Sequence, residues 1–135
     1  MRFDSDFEEK VKQAQIKQGW GGALPGPLLV AWESLVEQCE CGYGDNFDEL
    51  MQDFQNRQRI DIVLEDEDLD AHADMARFRE CVKSLDDRFK RLQLDEPVFP
   101  LEKYPWWESY PLRIGKKGLA EDYLDMFGIR IEIVS

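Results

Sequence analysis

The side chains able to do chemistry in this 135-residue chain are few: one histidine, His72, three cysteines, and a dense set of carboxylates around Asp66-Glu67-Asp68-Leu69-Asp70. A single imidazole limits Ser–His or Cys–His nucleophilic pairs to any that His72 itself completes, and it excludes a two-histidine HExxH zinc site. His72 follows Asp70 and Ala71 near the expected start of a long helix, where a solvated histidine is ordinary. The run from Asp66 opens like the D-x-D-x-D of a calcium loop. Such a loop needs glycine one place after its third aspartate and a bidentate glutamate near its end, and Ala71 and Arg77 stand at those positions. Cys39-x-Cys41, with only Cys81 and His72 elsewhere, lacks zinc-ligand spacing. An odd cysteine count does not make a disulfide framework, so all three read as small apolar thiols. Carboxylate pairs such as Asp45/Asp48 or Asp66/Asp70 have a separation suited to acid–base work, but any acidic helix generates it. The glycines at 19–22 and 42–44 lack the preceding strand and the spacing of phosphate-cradling loops, so they are turns. The expectation is a protein that is not an enzyme and holds no metal or cofactor.

Charge is the strongest remaining signal. The formal net charge is −12, and residues 45–74 carry 11 acids against Arg57 and Arg59 alone. Residues 1–44 carry −3, and residues 75–135 balance at 11 of each sign. Such a field repels nucleic acid and anionic lipid, and attracts and steers a basic surface. The acids Asp45, Asp48, Glu49 and Asp53 are spaced to share one flank of a helix. Glu65, Asp66, Glu67, Asp68 and Asp70 line the turn that follows it. These nine are candidate partner-binding residues, joined by Trp106 and Trp107, which are of the residue types that dominate interface hot spots. The same tryptophans are equally suited to roof a small core.

The elements that must position these groups follow from apolar spacing. Phe3, Phe7, Val11 and Ala14 lie on one face of a helix from about Asp4 to Gln18. Pro25 and Pro27 open a second helix with Leu28, Trp32, Leu35, Val36 and Cys39 on one side. Asp45 or Asn46 caps a third with Phe47, Leu50, Met51 and Phe54. Its stripe then slips, because Arg57, Gln58 and Asp61 fall where apolar residues should continue. Ile60, Val63 and Leu64 fit a re-phased helix, Ile60, Ile62 and Leu64 a strand, and the polar surroundings favour helix. Ala71, Met75, Phe78, Val82, Leu85, Phe89 and Leu92 mark a helix from about Leu69 to Leu94, with each buried large side chain contributing roughly 1.5–3 kcal/mol. From Pro97, prolines at 97, 100, 105 and 111 interrupt an aromatic stretch that should run extended. Leu119 to Phe127 is a short helix, and Ile129 to Val134 alternates as a strand that must pair with Leu112–Ile114 or Ile60–Leu64.

The expected fold is therefore mainly α: an antiparallel bundle of four to five helices with a short C-terminal strand or hairpin. It forms one domain over residues 1–135, with 1–96 as the helical bundle and 97–135 as the Pro/aromatic segment, short helix and strand. No apolar run approaches the ~20 residues that cross a bilayer. The start, Met1-Arg2-Phe3-Asp4-Ser5-Asp6, turns acidic at once, unlike a signal peptide. A cytoplasmic protein is expected.

Three strings carry a resemblance: Gly42-Tyr43-Gly44-Asp45-Asn46-Phe47-Asp48-Glu49-Leu50 leading to Asn56-Arg57, then Ser84-Leu85-Asp86-Asp87-Arg88-Phe89, then Pro105-Trp106-Trp107. Their order resembles small bacterial immunity proteins of contact-dependent growth inhibition. The resemblance implies a cytoplasmic protein that binds one cognate toxin domain, often a nuclease, and blocks its active site. It carries over no individual functional residue. On charge alone, the acidic face is expected to cover a basic toxin cleft, with no direct contact to nucleic acid or membrane. Two alternatives stay open: a nucleic-acid mimic that occupies a DNA- or RNA-binding protein, and a non-catalytic adaptor subunit.

Overall fold

A computed structural model describes residues 2–135. The chain is mainly helical. Its elements are α1 (Ser5–Lys17), α2 (Pro25–Cys41), α3 (Phe47–Asp53), α4 (Gln55–Glu65), a 3-10 turn (Glu67–Leu69), α5 (Ala73–Lys90), α6 (Trp106–Ser109), β1 (Ile114–Gly115), α7 (Lys117–Phe127) and β2 (Glu132–Ile133). Among the described residues no helix is long and apolar enough to cross a membrane.

The chain groups into two compact units. Unit 1 holds the chain up to Glu33 together with Gln55–Leu85, and unit 2 holds Ser34–Phe54 with Asp86–Ser135. The boundary explains the phase slip at Phe54. Phe47, Leu50 and Phe54 are buried and serve unit 2, while Ile60 and Val63 on α4 are buried in unit 1. The chain breaks between Asp53 and Gln55 and starts a new helix, so each set of apolar residues has its own helix. Residues 60–64 are helical, as their polar surroundings predicted.

In unit 1 the α1 stripe of Phe7, Val11 and Ala14 is buried together with Met75 and Phe78 of α5, and Phe3, Phe7 and Phe78 meet at ring separations of 5.3–6.1 Å. Gln15 is also buried. Its amide donates to the carbonyls of Val11 (3.0 Å) and Ala23 (2.7 Å), and its oxygen accepts from Ala23 N at 3.3 Å. A buried amide is stable only when so satisfied, so Gln15 stitches the 18–24 loop to α1.

The long helix is shorter than its stripe. It begins at Ala73, because Leu69 belongs to the 3-10 turn and Ala71 is exposed, and it ends at Lys90. Beyond it the backbone turns strand-like: Leu94 N donates to Pro111 O (2.8 Å) and Arg113 N to Leu92 O (2.7 Å), around an antiparallel bridge between Gln93 and Leu112. The proline-rich segment is not wholly extended either. Trp106–Ser109 makes one helical turn, and the Ser109 hydroxyl donates to Pro105 O at 2.8 Å.

Unit 2 closes on an aromatic cluster of Phe47, Phe99, Tyr123 and Phe127, with the other rings 5.7–6.3 Å from Phe47. The N-terminus of α3 is capped from two sides. Asn46 accepts from Glu49 N, and the Asp122 carboxylate accepts from Phe47 N at 2.9 Å. The final strand is shorter than its alternation suggested. β2 pairs in parallel with β1, Ile114 opposite Glu132 and Gly115 opposite Ile133, with α7 as the crossover. Parallel pairing rules out a terminal hairpin.

Gly42 ends α2 at φ +100°, and a Cβ there would run into the Val134 side chain behind β2. Gly42→Ala is therefore expected to destabilise the fold by about 2 kcal/mol or more. Gly44→Ala, where added volume meets open space, should be nearly neutral. Urea unfolding of the two variants makes the comparison, and equal midpoints would contradict it.

Candidate functional site: an acidic hollow beside Trp20

The nine acidic candidates divide between the units. Glu65, Asp66, Glu67, Asp68 and Asp70 belong to unit 1, and Asp45, Asp48, Glu49 and Asp53 to unit 2.

In unit 1 three of the five are engaged by the fold. Asp66 caps the 3-10 turn by accepting from Asp68 N at 2.9 Å, and it also pairs with Lys17 at 3.1 Å. Asp68 pairs with the same ammonium at 3.3 Å, and Asp70 with Arg79 at 2.5 Å. The two aspartates hold the Lys17 ammonium above its ordinary pKa, mainly by hydrogen bonding, Asp66 foremost. The calcium-like spelling is thus spent on local bonds, with the second and third aspartates paired to different cations. Glu65 and Glu67 are exposed, and among the described residues no cation lies within ion-pair distance of either. Glu65 is the last residue of α4, whose final turn has no basic residue. A carboxylate there opposes the partial negative charge of the helix end.

Glu65 and Asp66 wall a hollow of about 390 Å³, which Ala14, Gln18, Trp20, Gln58 and Ile62 complete. Trp20 is held in place from behind. Arg59 donates to Gly21 O at 2.7 Å and to Gln15 Oε1 at 3.2 Å, and its guanidinium carbon lies 4.9 Å from the indole centroid. An aromatic wall, apolar Ile62, two amides and two carboxylates suit the stem and charged head of a lysine or arginine side chain. Glu65 and Asp66 stand out in the sequence by their charge, whereas Trp20, Gln18 and Gln58 carry no local signal beyond the pattern G-W-G-G at 19–22.

In unit 2, Asp48 and Glu49 are exposed in the first turn of α3, where the helix end favours negative charge. Asp45 accepts from the backbone of Asn46 at 2.8 Å. Asp53 accepts a 2.6 Å hydrogen bond from the Tyr43 hydroxyl, and the Tyr43 phenol is held above its ordinary pKa by burial and by that aspartate. Trp107 is buried in the core of unit 2, whereas Trp106 is half-buried with Lys90 Nζ 4.7 Å from its ring centroid.

The chemically suggestive residues of the sequence are structural in their contacts. His72 Nδ1 accepts from Asp74 N at 3.1 Å, which caps α5. His72 Nε2 lies 3.5 Å from the carboxylates of both Asp4 and Asp6. Ligand atoms of these three lie within 4.8 Å of one another, and both aspartates are exposed. Burial pushes the Cys39 thiol up to about 12, with Asp53 and Glu40 adding to it, so it is no thiolate near neutral pH. Of the three cysteines expected to be small apolar thiols, Cys39 is buried, Cys81 half-buried and Cys41 exposed, so only Cys39 lies in the core.

Comparison with protein-family models, with curated proteins and with solved structures finds no match for this chain.

Glu108 on α6 carries a testable charge. Desolvation raises its carboxyl above the ordinary 4.5. As pH rises through that value the unfolded chain ionises first, while the folded protein keeps its proton longer, so stability falls until the folded pKa is passed. Glu108→Gln removes this loss. Urea unfolding from pH 3.5 to 7 should show little difference at the acid end and a more stable variant at neutral pH, whereas a gap that shrinks with rising pH would contradict it.

Proposed function

We propose that this chain is a cytosolic inhibitor that binds a basic protein partner, and that it works as an immunity protein neutralising a cognate toxin domain, as its resemblance to the growth-inhibition immunity proteins implies. The observation that carries the reading is Glu65. It stands at the unfavourable end of a helix with no cation within ion-pair distance among the described residues, and it lines a hollow with an aromatic wall. Such a carboxylate does nothing visible for the helix that ends on it. A partner that inserts a lysine or arginine beside Trp20 gives it a role. The formal charge of −12 attracts such a partner to the chain as a whole. Inhibition then needs no chemistry from this protein. It needs only that the hollow capture a cation on which the toxin's active surface depends, and that the surrounding carboxylates exclude the toxin's own anionic substrate.

The test is capture of the partner from the native host by the tagged protein, followed by affinity measurements on the purified pair at low and moderate salt. One basic protein should be retained stoichiometrically, and its activity should fall on binding. Glu65→Lys should weaken the complex by about tenfold or more. It is a cleaner probe than reversing Asp66, Asp68 or Asp70, because these are engaged by Lys17, Arg79 and the turn itself. An affinity unchanged within about twofold, the scale of an exposed rim charge, would overturn the assignment of this surface. Capture of many nucleic-acid enzymes, lost at moderate salt, would replace it with nucleic-acid mimicry.

A further inference from the structure

Unit 2 contains a second cleft, and its chemistry is of the opposite sign. Lys90, Gln93, Leu94, Asp95, Trp106 and Tyr110 line it with Arg113, and it encloses about 480 Å³. That volume is in the usual range for a small-molecule site. In a chain of net charge −12, this hollow presents two cations and one carboxylate.

The frame of the cleft is rigid. The Gln93–Leu112 bridge and the bonds Leu94 N to Pro111 O and Arg113 N to Leu92 O lock its two sides together. Gln93 is buried, and its amide donates to Trp106 O at 3.2 Å, fixing the turn that carries the indole. Trp106 is further braced by Phe89 (6.2 Å) and edge-on by Trp107 (5.7 Å). Such a site loses little freedom when a ligand enters.

Both cations are held loosely enough to be redirected. Arg113 pairs with Asp95 at 3.2 Å, but the Asp95 side chain is 93% exposed and that of Arg113 48% exposed, so the pair contributes little. Lys90 rests over the Trp106 ring, an exposed contact of similarly small worth. A ligand anion offers each a stronger, charge-assisted bond. Trp106, Tyr110 and Leu94 supply flat and apolar wall for the rest of the ligand.

We infer that this cleft binds a small molecule in which a flat aromatic ring carries one anionic group, a carboxylate or a phosphate. Arg113 and Lys90 take the anion, and the ring lies against the aromatic wall. Asp95 faces the same space and disfavours a second anionic group, so one compact anion is preferred over several spread along a ligand. The net charge of the protein opposes an approaching anion only at long range, and physiological salt screens this beyond roughly 8 Å. The site lies wholly in unit 2 and does not depend on the inhibitor reading.

The experiment is a nuclear magnetic resonance titration of the full chain in moderate salt with three probes: indole-3-acetate, adenosine monophosphate and the uncharged indole-3-acetamide. Saturable shifts are expected at the Trp106 indole N–H, the Gln93 side-chain amide and the backbone amides of Leu94 and Arg113. At least one anionic probe should bind about tenfold or more tightly than the neutral one, and which anion binds identifies the carboxylate or the phosphate as the recognised group. Arg113→Gln, a change at an exposed position, should abolish that preference while the spectrum stays dispersed. Equal binding of the neutral probe, or no saturation by either anion at about 10 mM, would overturn the inference. Both can be read from the unmodified protein, so the conclusion stands even if a variant fails to fold.

Discussion

Twenty-nine carboxylates must share this chain with seventeen cations, and their mutual repulsion is the constraint around which the fold is arranged. Carboxylates are tolerable when they are hydrated, when they cap a helix, or when a cation answers them. Asp122 and Asp66 accept from backbone N–H groups at the start of α3 and the 3-10 turn. Lys17, Arg79 and Arg88 answer Asp66, Asp68, Asp70 and Glu40. The Tyr43 hydroxyl meets Asp53. What remains after this local settlement is a smaller set of exposed acids that the fold does not use, with Glu65 the least comfortable of them.

Polar groups inside the units obey the same logic. Gln15 is tolerated in the core of unit 1 because the backbone of Val11 and Ala23 and the guanidinium of Arg59 satisfy it. Arg57 is 3% exposed on α4, with the Asp61 carboxylate 3.6 Å from its guanidinium. Through Gln15 and Arg59, an interior requirement sets the position of a surface residue, Trp20. The hollow beside that indole is thus a consequence of how unit 1 satisfies its own buried amide. A site shaped by the core is pre-organised, which lowers the entropy cost of docking a side chain into it.

Much of the helical fold was legible because apolar spacing is a local signal. Phe7, Val11 and Ala14, or Met75, Phe78, Val82, Leu85 and Phe89, recur every three or four residues, and all are buried. Asn46 could be read as a cap from its type and place. The failures involve partners distant in sequence. Arg57 looked like an interruption of the Phe47–Phe54 stripe, but it is buried on the next helix together with Ile60 and Val63. Nothing local tells that Lys17 will reach Asp68, 51 residues away, and so the aspartate run looked freer than it is. The two-residue strand β1 is too short to leave an alternating pattern, and its parallel register depends on the packing of α7. The acids themselves were found from charge alone; the aromatic and amide walls were not, because Trp20, Gln58 and Ile62 meet only in three dimensions.

If Glu65 and Glu67 serve a partner rather than the fold, they are held at some expense in stability. This can be measured on the isolated protein, through the unfolding free energy of the Glu65→Gln, Glu67→Gln double variant in urea at low and at high salt. Relief of repulsion and of the unfavourable helix-end charge should make the variant more stable than the parent by about 0.3–1 kcal/mol at low salt, with the gain shrinking as salt screens it. A variant less stable than the parent at low salt would show that these carboxylates serve the fold, and would contradict the account.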